Sequence, residues 1–270
     1  MTILRFVNES RPLEMLDDII GCWSKIVVPI FVQDENSNHK VSGLGSAFIV
    51  QRKRKVFLVT ARHVLLDIAD GDALMAVIAG KAVLLNGLYF FVSVEDDLAI
   101  AFLEPFWAEK QHIERMFSLP LDVHEPTWQL SDIFVLLGYP GSRNKLNINT
   151  NDTDRNLVSY SSTECIENPK AKTHIQNPIA FYFDKKKATD TDEKRINVGL
   201  FNGVSGGPVL QVRGRDEGDR EVKFSVSLAG VFVGWDKQHK ELVCVRSGVV
   251  EKLIDERIEK SLRRRGESMS

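Results

Sequence analysis

Cysteine is scarce. Three residues, Cys22, Cys165 and Cys244, stand far apart in 270 positions and form no CxxC pair. That argues against a disulfide scaffold and against a cysteine-built zinc site, and it favours a reducing compartment. Long apolar runs are missing too. No stretch approaches the roughly 18 residues that would suggest a membrane-spanning helix. The opening "MTILRFVNESRPLEMLDD" lacks the apolar core of a signal peptide and acquires acids early, so a cytoplasmic protein is expected. A charge surplus is absent as well: 35 basic and 37 acidic side chains give a formal net charge of -2. Such a balance makes no broad electrostatic case for nucleic acid or an anionic membrane as partner.

What is there is an ordinary globular composition, 43% hydrophobic and 27% charged, enough for one large domain or two small ones. Residues 12–24, "PLEMLDDIIGCWS", predict a short helix, with Leu13, Leu16, Ile19 and Ile20 on one stripe and Gly21 near its end. Beyond it the chain reads mostly as strand. Apolar runs at 25–32, 43–50, 56–61, 73–79, 81–85, 88–94 and 98–103 are divided by Gly, Asn and Asp. Helical patterns of ten or more residues between strands are missing, so the close spacing points to barrels or a sandwich and not to βαβ units. "FWAEKQHIERMF" is a brief helix or a loop joining two halves, and "DIFVLLGYPG" is a strand running into a turn. Residues 142–194 are polar and turn-rich, with "NLVSYSS" and "PIAFYF" as strands among surface loops. "INVGLF", "GPVLQV", "VKFSVSLAGVFVGW" and "ELVCVR" resume the strands. A tail with Val250, Ile254, Ile258 and Leu262 four apart then predicts a helix.

Three places bear polar groups that could do chemistry. In "FNGVSGGPVL", Ser205 sits among Gly203, Gly206 and Gly207. That pattern is either a tight turn or a nucleophile held on one, with the N–H groups of Gly203 and Ser205 as donors to a developing oxyanion. In "VFLVTARHVL", His63 follows a strongly apolar strand, as a turn histidine or as a base. In "VSVEDDLAIAFLEP", Asp97 stands at the mouth of an apolar run, as a turn aspartate or as an orienting acid, with Glu95 and Asp96 as positional alternatives. A serine needs a base to take its proton and an acid to orient that base. All three groups are available here.

Together the three motifs resemble those of trypsin-like (chymotrypsin-fold) serine peptidases, in particular the disulfide-poor bacterial branch that includes HtrA-type protease domains. "TARHVL" is similar to the family's Thr-Ala-x-His stretch, "DLAIAFL" to its Asp-Leu-Ala-aliphatic stretch and "GVSGGPVL" to its Gly-x-Ser-Gly-Gly-Pro stretch, in the family's order. "GLGSAFIV" resembles the strand before the histidine, with Ala47 in place of the usual second glycine, and "LAGVFVGW" the strand flanking the substrate pocket. The resemblance covers roughly residues 25–262 and includes no PDZ domain.

The resemblance implies an all-β fold of two antiparallel six-stranded β-barrels with a C-terminal α-helix. It divides the chain into an N-terminal extension (1–24), a first barrel (25–120), a second barrel (121–247) and a closing helix (248–265). It implies His63 as general base, Asp97 as orienting acid, Ser205 as nucleophile, and Gly203 with Ser205 as oxyanion donors. Gly199, Phe232, Val233 and Gly234 are the expected substrate contacts. Their lack of charge favours a small or apolar P1 side chain. The substrate is then a peptide or protein, cleaved through an acyl-enzyme without metal or organic cofactor. Two other readings stand beside it: a binding module of the same fold whose site is latent or awaits an activating protein partner, and an esterase or other acyl transferase.

Overall fold

The computed structural model describes residues 4–7, 12–33, 41–66, 68–69, 71–113, 116–122, 133–141, 145–147, 152–154, 156–184, 201–216 and 221–267. The chain opens with β1 (Leu4–Val7) and α1 (Pro12–Trp23), then runs through β2 (Val27–Gln33), β3 (Val41–Arg52) and β4 (Lys55–Ala61). A single 3-10 turn, Arg62–Leu65, separates β4 from β5 (Ala73–Ile78), β6 (Lys81–Leu84), β7 (Phe90–Ser93) and β8 (Leu98–Phe102). The join holds α2 (Pro105–Lys110) and β9 (Leu119–Pro120). There follow β10 (Ile133–Gly138), β11 (Lys145–Asn147), β12 (Asp152–Asp154), β13 (Val158–Ser162), β14 (Cys165–Ile166) and β15 (Ile179–Tyr182). The long strands β16 (Pro208–Asp216) and β17 (Glu221–Asp236), then β18 (Glu241–Arg246), lead into α3 (Ser247–Glu267).

The strands form two eight-stranded sheets and one two-stranded ribbon, β11–β12. The first sheet has the order β6-β5-β2-β3-β4-β8-β7, with β9 added parallel to β3. The second has the order β13-β10-β16-β17-β18-β15-β14, with β1 added along the far half of β17. This corrects the expected pair of closed six-stranded barrels. Each sheet is an open run of strands, and its end strands do not pair with each other among the described residues. The extra members are short. Leu4–Val7 pairs residues 221–224, and Leu119–Pro120 contributes two residues beside Val50 and Gln51. Runs this short carry no usable period, and apolar runs alone do not say which strand lies beside which.

Where the strands do lie follows from two-sided burial. Along β3, Phe48 and Val50 enter a core shared by both sheets, while Ala47 and Ile49 enter one belonging to the first sheet. Along β10, Val135 and Leu137 enter the shared core, and Phe134 and Leu136 a second-sheet core rich in aromatics. Successive side chains leave a strand on opposite faces, so a strand buried on both reads as a continuous apolar run. The helices close the shared core. Ile19 and Trp23 of α1 and Val250, Leu253, Ile254 and Ile258 of α3 all enter it. Arg52, at the end of β3, clasps α3 through Glu251 (2.8 Å) and a two-pronged contact with Asp255 (3.0 and 2.8 Å). No described helix is long and apolar enough to cross a membrane.

Candidate active site

β4 and β8 pair antiparallel with Ala61 opposite Leu98, and the next rung is the Arg62 N–H donating to the Asp97 carbonyl at 2.8 Å. This register sets His63, on the 3-10 turn just past β4, beside Asp97, the residue just before β8. Asp97 has a φ of 51°, the left-handed conformation that Asp tolerates better than most residues. Its Oδ1 accepts from the His63 backbone N–H at 2.9 Å, and its Oδ2 lies 2.6 Å from His63 Nδ1. An ionised carboxylate only accepts, so in a neutral ring the proton sits on Nδ1 and Nε2 keeps its lone pair. The carboxylate is buried, whereas the imidazole side chain is 40% exposed. The pair is therefore fixed on one side and open on the other.

Ser205 comes from the turn 201–207, between Phe201 and β16. Phe201 roots the turn in the second-sheet core, with ring centroids 5.1 Å from Phe183, 5.0 Å from Trp235 and 5.6 Å from Phe232. Gly203 and Gly206 have φ of +88° and +86°. A Cβ on Gly203 would collide with the backbone of Gly141, and one on Gly206 with the Ser46 carbonyl oxygen and the Thr60 side chain. Only glycine meets both demands. The turn rests on the strands that carry His63. The Ser205 carbonyl accepts from the Ser46 N–H at 2.8 Å, and a Cβ on Gly206 would reach to 2.9 Å of the Ala61 nitrogen. His63 and Ser205 are thus brought to the same strand ends from two sheets. Among the described residues no hydrogen bond joins the Ser205 hydroxyl to His63.

Four consecutive carbonyls of this turn, from Asn202 to Ser205, are taken. The Asn202 oxygen accepts from Gly141 N–H (2.9 Å), Gly203 from the Ser46 hydroxyl (2.8 Å), and Val204 from Gly207 N–H (2.9 Å). A trans peptide sets its N–H opposite its C=O. The N–H groups of Gly203 and Ser205 therefore point away from Gly141 and Gly207, and neither donates to any described residue.

The expected substrate contacts divide. Gly199 lies outside the described residues. Phe232 is fully buried, its N–H donating to the Gly207 carbonyl (2.9 Å) and its C=O accepting from Gly206 (2.8 Å). Its backbone is committed to the serine turn, with none left for an added strand. Val233 is the extra residue of a bulge, since Phe232 faces Cys244 and Gly234 faces Val243 on β18. Val233 and Gly234 line a cavity of about 310 Å³ together with Asp97, Lys172, His174 and Trp235. One wall of that cavity is the segment 171–175, held on either side from β18. The buried Glu241 carboxylate accepts from the N–H groups of Lys170 (3.1 Å) and Ala171 (2.8 Å), and Arg246 donates to the Asn177 carbonyl at 2.9 Å. At its rim, the His239 ring and then the His239 backbone N–H hold the Asp236 carboxyl below its ordinary range. A larger cavity, about 520 Å³, lies elsewhere, against Lys25, Val77, His112, Phe117 and Tyr139, and contains none of the residues marked in the sequence. No cluster of three or more His, Cys, Asp or Glu side chains suited to a metal ion occurs among the described residues.

Sequence reasoning missed the supports of the turn: Ser46, Gly141 and the role of Phe232. The one signal for Ser46 was a lone hydroxyl in an apolar strand, "GLGSAFIV".

No family model matches the chain, and no curated protein does. Solved structures resemble it distantly. An inactive form of Rv3671c from M. tuberculosis H37Rv is 16% identical, with a TM-score of 0.48 and coverage of 93% of this chain and 96% of the other. The MamO protease domain from Magnetospirillum magneticum is 14% identical, with a TM-score of 0.47 and coverage of 85% and 96%. A structure described for the coupled folding and binding of the Sesbania mosaic virus VPg protein is 15% identical, with a TM-score of 0.45 and coverage of 92% and 93%. At such values the likeness assigns neither a family nor an activity.

Proposed function

We propose that this protein is a serine endopeptidase. Ser205 is the nucleophile, His63 the base that takes its proton, and Asp97 the acid that holds the imidazole in the required tautomer. The N–H groups of Gly203 and Ser205 stabilise the tetrahedral oxyanion. His63 then gives its proton to the leaving amine, and water releases the acyl group from Ser205. One observation carries the reading: the 2.6 Å contact between His63 Nδ1 and Asp97 Oδ2 leaves Nε2 free at the strand ends on which the Ser205 turn rests. The apolar Val233 and the bare Gly234 favour a substrate with a small or apolar P1 side chain, its backbone laid along the edge beyond Phe232.

A second reading, a latent or partner-activated binding module, is favoured by the missing hydrogen bond between Ser205 and His63. Such bonds are often long or poorly aligned before substrate binds, so this weighs less. A fluorophosphonate separates the two. A single adduct on the purified protein, lost in Ser205→Ala and much slowed in His63→Ala, is the expected result. No adduct on folded protein would overturn the constitutively active enzyme and leave the latent module. Cleavage of peptide amides, and not only of activated esters, separates a peptidase from an esterase. A peptide library then tests the P1 preference.

A further inference from the structure

Ser46 belongs to the first sheet, is fully buried, and makes four hydrogen bonds, three of them into second-sheet territory. Its hydroxyl donates to the Gly203 carbonyl at 2.8 Å and accepts the Tyr139 N–H at 2.8 Å. Its backbone N–H donates to the Ser205 carbonyl at 2.8 Å, and its carbonyl accepts the Thr60 hydroxyl at 2.7 Å. A serine hydroxyl has one proton. With a lone pair taken by Tyr139, that proton goes to Gly203.

We infer that Ser46 is a positioning residue for the oxyanion site: by holding the Gly203 and Ser205 carbonyls from the opposite sheet, it fixes the peptide that links, and the peptide that follows, the two peptides carrying the Gly203 and Ser205 N–H groups. The inference rests on the serine peptidase reading. The logic is that of peptide planes. Four consecutive carbonyls, from Asn202 to Ser205, are each held by one donor, and Ser46 supplies two of the four. The peptide between Gly203 and Val204 matters most. It lies between the two peptides whose N–H groups are the donors, and one of the two torsions that set it is the ψ of Gly203, which no Cβ restricts. Its N–H is held only within the turn, by the Phe201 carbonyl at 2.9 Å, whereas its C=O is held from outside by Ser46. A turn of this plane changes the torsions that relate the Gly203 N–H to that of Ser205. The surrounding geometry leaves little room for a substitute. A Cβ on Gly45 would overlap the Val64 side chain and come within 3.1 Å of the Ser205 carbonyl oxygen, and one on Gly138 would come within 3.2 Å of the Ser46 hydroxyl.

The test compares the unsubstituted protein with Ser46→Ala, Ser46→Cys and, as a destabilised control remote from the turn, Ile258→Ala in α3. Each is assayed on a peptide amide below its melting midpoint, and against a peptide aldehyde, which forms a tetrahedral adduct, and the matching peptide acid, which does not. Loss of one oxyanion donor lowers kcat by about 100- to 1,000-fold, so loss of its support should lower kcat roughly 10- to 100-fold with KM within about threefold. Aldehyde affinity should fall by the same factor, while binding of the acid is unchanged. Ile258→Ala should melt earlier and keep its kcat. If Ser46→Ala does not fold, Ser46→Cys carries the test, since its weak thiol donor should give the same split at smaller size. A kcat within twofold of the unsubstituted protein in whichever of the two folds, or a parallel loss in Ile258→Ala, overturns the positioning role alone. No turnover and no fluorophosphonate adduct in the unsubstituted protein overturns the peptidase reading and this inference together.

Discussion

The two halves of the candidate site are held by different means. In the first sheet, His63 and Asp97 meet because β4 and β8 are in register, and the contact needs nothing from the second sheet. In the second sheet, the Ser205 turn is held by its own i→i+3 bonds, by Phe232, and by donors from outside, namely Gly141 and Ser46. A pair set by one ladder is as robust as that ladder. A turn held across two sheets is only as well formed as their packing. The Ser205 side is therefore where substitutions remote from the site should disturb activity.

The largest effect expected is on the local side. Asp97→Asn keeps the shape but lets the ring take the other tautomer, and kcat/KM should fall about 1,000- to 10,000-fold with little change in thermal midpoint. Steady-state kinetics on a peptide amide would check this. A loss under tenfold would mean that the 2.6 Å contact does not orient the base.

On the other side the largest effect is on stability. Gly206→Ala adds a Cβ where φ is +86° and the Ser46 carbonyl blocks it. The backbone strain and displaced turn should cost at least about 3 kcal/mol in urea unfolding. Gly248→Ala is the counterpart. It lies in α3 with nothing within 4 Å of the added Cβ, and should be neutral or stabilise slightly.

The third contrast concerns the Arg52 clasp, which ties α3 to the first sheet. The hydrogen bonds from Arg52 lead the causes that lower the Asp255 carboxyl from 3.8 to about 2. A carboxylate depressed in the folded state stabilises it above the unfolded value, and that stability is lost as pH falls. The contribution, about 2 kcal/mol, should be full above pH 5 and fade between about pH 4 and 2. Arg52→Ala should remove it, flattening the acid limb of stability against pH. Lys53, whose side chain is 54% exposed although 2.9 Å from Asp255, sets the lower bound. Lys53→Ala should cost under about 0.5 kcal/mol, because water screens an exposed pair.

Much of the fold was legible because two-sided burial writes strands as apolar runs. β3, β4, β8, β10 and β18 all stand where such runs predict them, and α3 follows the four-residue stripe from Val250 to Ile258. Strand β1 was illegible because "LRFV" is too short to show a period, and its place was decided by the first residues of β17, beside which it lies. Sheet closure was illegible for a related reason. It depends on which edges meet, and local sequence is silent about edges.

For the site, the sequence by itself determined which groups are present: His63 after an apolar strand, Asp97 before one, and Ser205 among glycines whose positive φ no other residue accepts without strain. Those are local facts, fixed by residue type and spacing. Tertiary structure alone decided that the Phe232 backbone bonds to the serine turn, that Val233 is the bulge, and that Ser46, 157 residues away from Gly203, holds its carbonyl. A hydrogen bond to a backbone carbonyl from so far along the chain leaves no mark at the acceptor, because every residue offers the same carbonyl, and only the packing of two sheets selects which donor reaches it.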